Sequence, residues 1–210
     1  MSEAMELFFM IILFITGMVM GSFFNVVIYR VPEGKSIIKP RSACPNCGTV
    51  LKPADLIPVF SFLALKGKCR TCKVKISFQY PLVELLAGLM FVILYLKFGF
   101  TVELFFSIYL MSVLLIVFFI DLKHQIIPNG LVITGLIGGA AFFVVRFWYH
   151  DAILNGAAWY SPLLGMVATS GFLLIVALLG MLVYKGEAMG MGDVKIFMPI
   201  GLFLGLRLGI

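Results

Sequence analysis

The feature that most constrains the fold of this chain is an uncharged apolar run near its amino terminus. Residues 7–28, LFFMIILFITGMVMGSFFNVVI, contain no charged side chain over 22 positions, and about 20 such residues cross the roughly 30 Å hydrocarbon core of a bilayer as a helix. A cleaved signal peptide would have a basic start, a shorter apolar core and small residues at its exit. This run instead follows Glu3 and Glu6 and ends at Tyr29-Arg30. It therefore predicts a retained transmembrane helix whose amino end lies outside.

Five further apolar segments indicate a polytopic membrane protein. Of the 210 residues, 62% are hydrophobic and 12% are charged, whereas roughly 25% of a soluble domain is charged. We expect an all-α membrane protein with at least six transmembrane helices and a small cytoplasmic zinc-binding domain between helices 1 and 2. After the first run, the apolar segments cover 81–96, 103–120, 130–147, 162–184 and 194–210. The predicted domains are a first transmembrane helix at 7–29, a four-cysteine zinc domain at 30–80 and a transmembrane catalytic bundle at 81–210.

The distribution of positive charge predicts which face of the membrane each loop occupies. Ten of the 16 Lys and Arg lie between Arg30 and Lys75, and three more lie in the loops around 121–130 and 185–194. With six spans that start outside, these three regions share one face. Because cytoplasmic loops carry the excess of Lys and Arg, this face is predicted to be cytoplasmic. A basic loop beside spanning helices suits anionic lipid head groups, and we expect no nucleic-acid partner.

Two acidic residues stand at the edges of apolar segments. Asp121 directly follows LIVFFI, and Asp193 directly precedes VKIFMPIGLF. In the predicted topology both lie at the cytoplasmic ends of their helices, at similar depth. Each one alone could be an interfacial cap that contacts water. Ionisable residues in a membrane bundle are costly and are functional candidates, so two at matched depth indicate a joint role.

A pair of facing carboxylates can hydrolyse a peptide bond. Like charges resist ionising together, so one carboxyl keeps its proton while the other loses it. The ionised group takes a proton from the attacking water, and the protonated group binds the carbonyl oxygen and later supplies a proton to the leaving amine. The pair titrates as a unit, so the two roles are not assigned to single residues. The alternative is a proton- or cation-coupled transporter that uses Asp121 and Asp193, although such sites lie nearer the middle of the membrane, in broken helices.

Four residues around Asp193 are candidates for a supporting role. Gly190 and Gly192 have no side chain, which allows a substrate strand or a partner helix to approach the backbone; taken singly, each could also be an ordinary turn glycine. Glu187 and Lys195 could tune the proton affinity of Asp193 or simply extend to the lipid head groups.

The four cysteines of the chain form two Cys-x-x-Cys pairs. The pairs are CPNC at 44–47 and CRTC at 69–72, and 21 residues separate them. This spacing suits a tetrahedral thiolate zinc site in which each pair forms a knuckle. Two disulfides or a redox pair are the alternative, which a cytoplasmic location disfavours. We predict a structural zinc ion, because four thiolates leave no open position for a catalytic water; the ligands are Cys44, Cys47, Cys69 and Cys72.

Two polar residues lie near the cytoplasmic ends of apolar segments. Asn25 in the first run is a candidate buried polar group and is expected to form an interhelical hydrogen bond. Glu84 is expected at the start of the second helix, where a negative charge suits the positive end of the helix dipole.

Four sequence elements together resemble the bacterial type IV prepilin peptidases, which are membrane aspartyl peptidases with a glycine-x-glycine-aspartate element. GMGDVK at 190–195 resembles that element, and DLKHQIIPN at 121–129 resembles its partner element. GSFFNVVIYRVP at 21–32 resembles the end of the family's first helix, and the two cysteine pairs fit its cytoplasmic domain. The likeness covers essentially the whole chain in the same order.

The resemblance implies that Asp121 and Asp193 are the catalytic pair of an endopeptidase that cleaves the basic leader from type IV prepilins or pseudopilins, just after a glycine. Cleavage would occur at the cytoplasmic face of the bacterial inner membrane, in type IV pilus or type II secretion systems. The resemblance also implies N-methylation of the new amino terminus with S-adenosylmethionine. Family chains commonly continue well beyond the second aspartate, so we expect this chain to be truncated at its carboxyl end.

Overall fold

The computed structural model describes residues 3–148, 160–184 and 190–205. The long elements of this part of the chain are all α-helices. A polar block between the first two long helices contains one 3₁₀ turn, Pro53–Leu56, and one short helix. In chain order the helices are α1 (Glu3–Arg30), α2 (Phe60–Ala64), α3 (Gln79–Phe98), α4 (Val102–His124), α5 (Asn129–Trp148), α6 (Ser161–Tyr184) and α7 (Met191–Leu204).

Five of these helices, α1 and α3 to α6, are long and apolar enough to cross a membrane. This confirms the predicted all-α, multi-pass membrane fold. The predicted sixth span at 194–210 is not confirmed, because α7 has 14 residues where a span needs about 20. The physical reason is Gly205, which ends α7 with a left-handed φ of 70°; residues 206–210 lie outside the described residues.

The chain divides into two compact units, Met1–Phe119 and Ile120–Ile210. In the first unit, α1 packs closely along α3 at two glycines. A Cβ atom on Gly17 would lie 2.7 Å from the carbonyl oxygen of Ala87, and one on Gly21 would lie 2.7 Å from the Cα atom of Glu84. Small residues allow spanning helices to approach in this way.

Two polar side chains lie within this α1–α3 contact. Asn25 Nδ2 donates a hydrogen bond to the Tyr80 carbonyl oxygen over 3.0 Å, which is the expected interhelical bond. Glu84 differs from expectation: α3 already begins at Gln79, so Glu84 lies in its second turn and is buried against α1. The expectation was wrong because α3 begins with polar residues that precede its apolar run, so the start of the helix lies before Glu84 by more than one turn.

In the second unit, α7 packs against α6 and α5. A Cβ atom on Gly165 of α6 would lie 2.6 Å from the carbonyl oxygen of Gly201 on α7. Thr169 Oγ1 lies 3.1 Å from the Phe197 carbonyl oxygen, to which it donates a hydrogen bond. Gly139 of α5 lies against the Leu202 side chain. These contacts fix α7, and with it the backbone that carries Asp193.

Candidate active site and metal site

The first predicted catalytic element forms the corner between α4 and α5. Asp121 lies in the last turn of α4 and is exposed. Its carbonyl oxygen accepts a hydrogen bond from the Gln125 N–H over 2.8 Å. Gln125 has a φ of 53°, and a left-handed residue at this position is a common way to end a helix. The chain then turns at Ile126–Pro128 and begins α5 at Asn129.

The second predicted catalytic element is the first turn of α7, which contains the half-buried Asp193. Gly190 is the N-cap of this helix, and its carbonyl oxygen accepts the Asp193 N–H over 3.1 Å. A carboxylate in the first turn is stabilised by the positive end of the helix dipole. Asp193 Oδ2 lies 3.4 Å from the position of a Cβ atom on Gly190. Glycine at 190 therefore leaves the space beside this carboxylate open.

The two elements touch through Gly192 and Lys195 beside Asp193, and through Ile127 and Asn129, which follow Asp121 by six and eight residues. A Cβ atom on Gly192 would lie 3.1 Å from Ile127 Cβ, so glycine at 192 allows the α4–α5 corner to approach α7. Lys195 Nζ donates a hydrogen bond to Asn129 Oδ1 over 3.2 Å. The corner that follows Asp121 is thus packed on the turn that carries Asp193. The direct pairing of the two carboxylates remains a prediction.

The residues predicted to support Asp193 divide into two groups. Gly190, Gly192 and Lys195 all lie in or beside this contact, while Glu187 lies outside the described residues. Ile127 and Asn129 were not singled out from the sequence. Their position within DLKHQIIPN was the only signal for them, because a loop isoleucine and a loop asparagine carry no distinctive chemistry of their own.

The four cysteines form a second site, in the polar block between α1 and α3. Their Sγ atoms all lie within 4.8 Å of one another, and Cys44 Sγ lies 3.8 Å from Cys72 Sγ. Four thiolates bound tetrahedrally at about 2.3 Å from a zinc ion would lie about 3.8 Å apart. No two of the four cysteines are joined by a disulfide in this structure. The arrangement fits the predicted zinc site.

The two cysteine pairs share one backbone geometry. The residue after the second cysteine of each pair has a left-handed φ, 68° for Gly48 and 59° for Lys73. In each turn this residue donates its N–H to the carbonyl oxygen of the first cysteine, over 2.9 Å to Cys44 and 3.1 Å to Cys69. Each pair is therefore a closed turn, as expected of a zinc knuckle.

Hydrogen-bond donors favour the thiolate forms of Cys47 and Cys69, whereas burial and hydrogen bonding with the Cys69 and Cys47 side chains raise the pKa of Cys44. The Thr49 hydroxyl, whose oxygen lies 3.2 Å from Cys47 Sγ, and the Thr49 N–H lower the pKa of Cys47 to about 6. The backbone N–H groups of Cys72 and Thr71 lower the pKa of Cys69. Thiolates are the form that binds zinc, so the pKa shifts of Cys47 and Cys69 agree with the geometry.

Two family models match consecutive parts of the chain. Residues 15–98 match the bacterial peptidase A24 N-terminal domain, and residues 108–210 match the type IV leader peptidase family. The first model contains all four cysteines, and the second contains both aspartates. No solved structure matches the chain.

Several curated relatives carry the name prepilin leader peptidase/N-methyltransferase. The chain is 41% identical to the Myxococcus xanthus protein over 203 residues, which are 95% of this chain and 57% of that protein. It is 40% identical to the Bacillus subtilis protein, covering 94% of this chain and 74% of that one. It is 36% identical to the Klebsiella pneumoniae protein, covering 92% and 84% respectively. The chain belongs to the type IV leader peptidase family.

Proposed function

We propose that this chain is an integral-membrane aspartyl endopeptidase that removes the basic leader from type IV prepilins or pseudopilins and then N-methylates the new amino terminus. Membership of the type IV leader peptidase family and the shared name of the relatives support this reaction. The structural observation that carries the proposal is the contact between the α4–α5 corner and the first turn of α7, at Gly192 and Lys195.

Asp121 and Asp193 are the proposed catalytic residues. One carboxylate takes a proton from a water molecule as that water attacks the scissile carbonyl carbon, and the other, protonated, donates a hydrogen bond to the carbonyl oxygen. The C–N bond breaks when the leaving amine receives the proton of the second carboxyl. Gly190 supports this assignment, because its missing side chain leaves room for a substrate backbone beside Asp193.

The reaction is proposed to take place at the cytoplasmic face of the inner membrane. Lys123 follows Asp121 by two residues and Lys195 follows Asp193 by two residues. Cations at these two helix ends, together with the basic block after α1, fit the excess of positive charge on cytoplasmic loops. Here the substrate's apolar helix would remain in the bilayer while its leader reaches the two carboxylates.

Zinc and S-adenosylmethionine have separate proposed roles. Zinc on the four cysteines would stabilise a block of about 50 residues, which is too small to be robust without such a link, and takes no part in hydrolysis. S-adenosylmethionine would supply the methyl group. We assign no residue of this chain to the methyl donor, so its proposal rests on the family and the names of the relatives alone.

The test is mass spectrometry of a prepilin after incubation with the full chain in detergent. Asp121→Asn and Asp193→Asn should each lower the cleavage rate by roughly a thousandfold or more, because each removes a proton-transfer group. Glu103→Gln is the matched control, since it neutralises a half-buried acid in the first turn of α4, at the opposite end from Asp121, and should cleave normally.

A second substrate separates the two proposed activities. A pilin that already lacks its leader should be methylated equally by the wild type and by both Asp→Asn variants when S-adenosylmethionine is added. Normal cleavage by either Asp→Asn variant would contradict the assignment of the pair. Cation flux without cleavage, measured in vesicles, would favour the transporter alternative.

A further inference from the structure

The polar block contains an apolar segment that a water-exposed domain does not explain. Residues 56–65, LIPVFSFLAL, carry no charge over ten positions and lie between Asp55 and Lys66. They begin with Leu56, the last residue of the 3₁₀ turn, and include the whole of α2. Contiguous exposed apolar surface of this kind marks an interaction site. The exposed fractions are 41% for Leu56, 50% for Ile57, 65% for Phe60 and 65% for Leu63.

This segment lies against the middle of α1. Together with Pro53 it faces Ile15, Met18 and Val19 across an open apolar cavity of about 410 Å³. Val19 and Ile15 precede Arg30 by 11 and 15 residues, which is roughly 16 and 22 Å along a helix axis. The hydrocarbon core is about 30 Å thick, and the apolar run of α1 continues to Ile28. The cavity is therefore at the depth of the acyl chains, not of the cytosol.

Glu84 holds the segment at this depth. The Glu84 side chain is buried in the α1–α3 contact, and its Oε2 accepts a hydrogen bond from the Val59 N–H over 2.8 Å. The Ser22 side chain is its other hydrogen-bonding neighbour. Val59 is β-branched and has a φ of 61°, a conformation that such residues rarely adopt. Non-helical backbone at membrane depth requires protein partners for its polar groups, and Glu84 provides one.

We propose that residues 56–65 enter the hydrocarbon core from its cytoplasmic side, beside α1, and that lipid acyl chains occupy the cavity between this segment and α1. The lipid is favoured as the occupant because Ile15 and Val19 are 51% and 55% exposed on a spanning helix. The cavity thus continues the surface on which α1 meets the bilayer.

The flanks of the segment fit the same partner. Lys66 and Lys68 follow it directly and are exposed, where they suit anionic head groups. Arg70, which lies between Cys69 and Cys72, donates two hydrogen bonds to Asp55, over 2.8 Å from Nε and 2.6 Å from Nη2. The segment is thereby tied at its start to the second knuckle. This inference does not depend on the proposed catalysis.

Depth-dependent fluorescence quenching tests the proposal. Trp148 and Trp159, the two native tryptophans, are replaced by Phe, and one tryptophan is then introduced in the full chain as Phe60→Trp. Ile38→Trp is the matched control, because Ile38 is an apolar residue of the same block, 81% exposed and outside the segment. Both proteins are reconstituted in vesicles of phosphatidylcholine and phosphatidylglycerol brominated midway along the acyl chains. The tryptophan at 60 should emit at shorter wavelength and be quenched several-fold more than the one at 38.

Two substitutions at Glu84 test what holds the segment. Glu84→Gln keeps an oxygen that can accept the Val59 N–H and should retain the quenching at 60. Glu84→Met removes the acceptor and should reduce that quenching to the level seen at 38. Zinc content and far-UV circular dichroism check that each variant is folded, and the comparison of positions 60 and 38 stands without either variant.

Three results would overturn the proposal. Unquenched, water-like emission from the tryptophan at 60 would show that the segment lies in the cytosol. Quenching that is lost when saturating prepilin is added would identify the substrate, not lipid, as the occupant. Full quenching in a folded Glu84→Met protein would exclude Glu84 as the group that holds the segment.

Discussion

Replacing Gly21 by Ala should separate α1 from α3. The added Cβ atom would lie 2.7 Å from Glu84 Cα, 3.0 Å from Ala87 Cβ and 3.1 Å from the Val83 carbonyl oxygen. Carbon atoms in contact prefer about 3.5 to 4.0 Å, so the helices must move apart by about 1 Å at this point. Two of the three neighbours belong to the backbone, so no side-chain rotation relieves the contact.

The expected loss of stability follows from three contributions. Overpacking of this kind costs about 1 to 3 kcal/mol. The Asn25–Tyr80 hydrogen bond, now 3.0 Å, lies one turn away and would stretch beyond hydrogen-bonding distance, which costs about 1 kcal/mol. Alanine gains about 1 kcal/mol over glycine in a helix. The net change is about 2 kcal/mol, or roughly a thirtyfold change in the ratio of folded to unfolded protein.

The assay is unfolding by sodium dodecyl sulfate in mixed micelles, followed by far-UV circular dichroism. The matched control is Gly171→Ala in α6, where a Cβ atom would meet nothing within 4 Å, so this variant should be as stable as the wild type or more stable. If Gly21→Ala unfolds at the same detergent fraction as Gly171→Ala, the close α1–α3 contact described above is refuted.

Three further predictions concern the two sites. The purified chain should contain one zinc ion. Cys72→Ser should release this ion, and residues 30–80 should then be cleaved more readily by protease. If the wild-type chain contains no zinc and still resists protease, zinc has no structural role. Gly48→Ala should destabilise the zinc block by about 1 kcal/mol, because Gly48 has a φ of 68° in open space; an unchanged temperature of zinc release would contradict this. Gly192→Val should displace Ile127 and lower the prepilin cleavage rate by roughly a hundredfold. Gly130→Ala is the control and should leave the rate unchanged, because a Cβ atom at 130 meets open space. Equal cleavage rates for the two variants would show that catalysis does not depend on the Gly192 contact.

The sequence predicted five membrane spans to within a few residues, because long uncharged apolar runs have few alternatives to a transmembrane helix. Helix ends were harder to predict. The apolar run of α4 stops at Ile120, yet the helix continues to His124 and ends at the left-handed Gln125. Hydropathy marks where lipid gives way to water, whereas backbone hydrogen bonds decide where the helix ends. At Gly205 the helix ends before the apolar run does: α7 stops there although the sequence that follows is still mostly apolar.

Of the two sites, the cysteine cluster could be predicted more completely. Two Cys-x-x-Cys pairs carry their ligands and their turn geometry within five residues each, and the observed sulfur positions fit the predicted zinc site. The family inferred from four motifs is likewise confirmed. The membrane depth of residues 56–65 was not predicted, because it depends on a hydrogen bond between Val59 and Glu84, 25 positions apart in the chain. The domain boundaries and the roles of the two aspartates remain predictions.

The central claim is that the carboxylates of Asp121 and Asp193 lie close enough to act on one water molecule. Its most direct test is cross-linking of Asp121→Cys/Asp193→Cys with a short bifunctional thiol reagent, in zinc-loaded protein so that the native thiolates are engaged, followed by peptide mass spectrometry. We predict a linked pair of peptides in the double variant and in neither single variant. If both introduced thiols react with a monofunctional reagent but no linked pair forms, the two aspartates do not meet and the proposed mechanism is wrong.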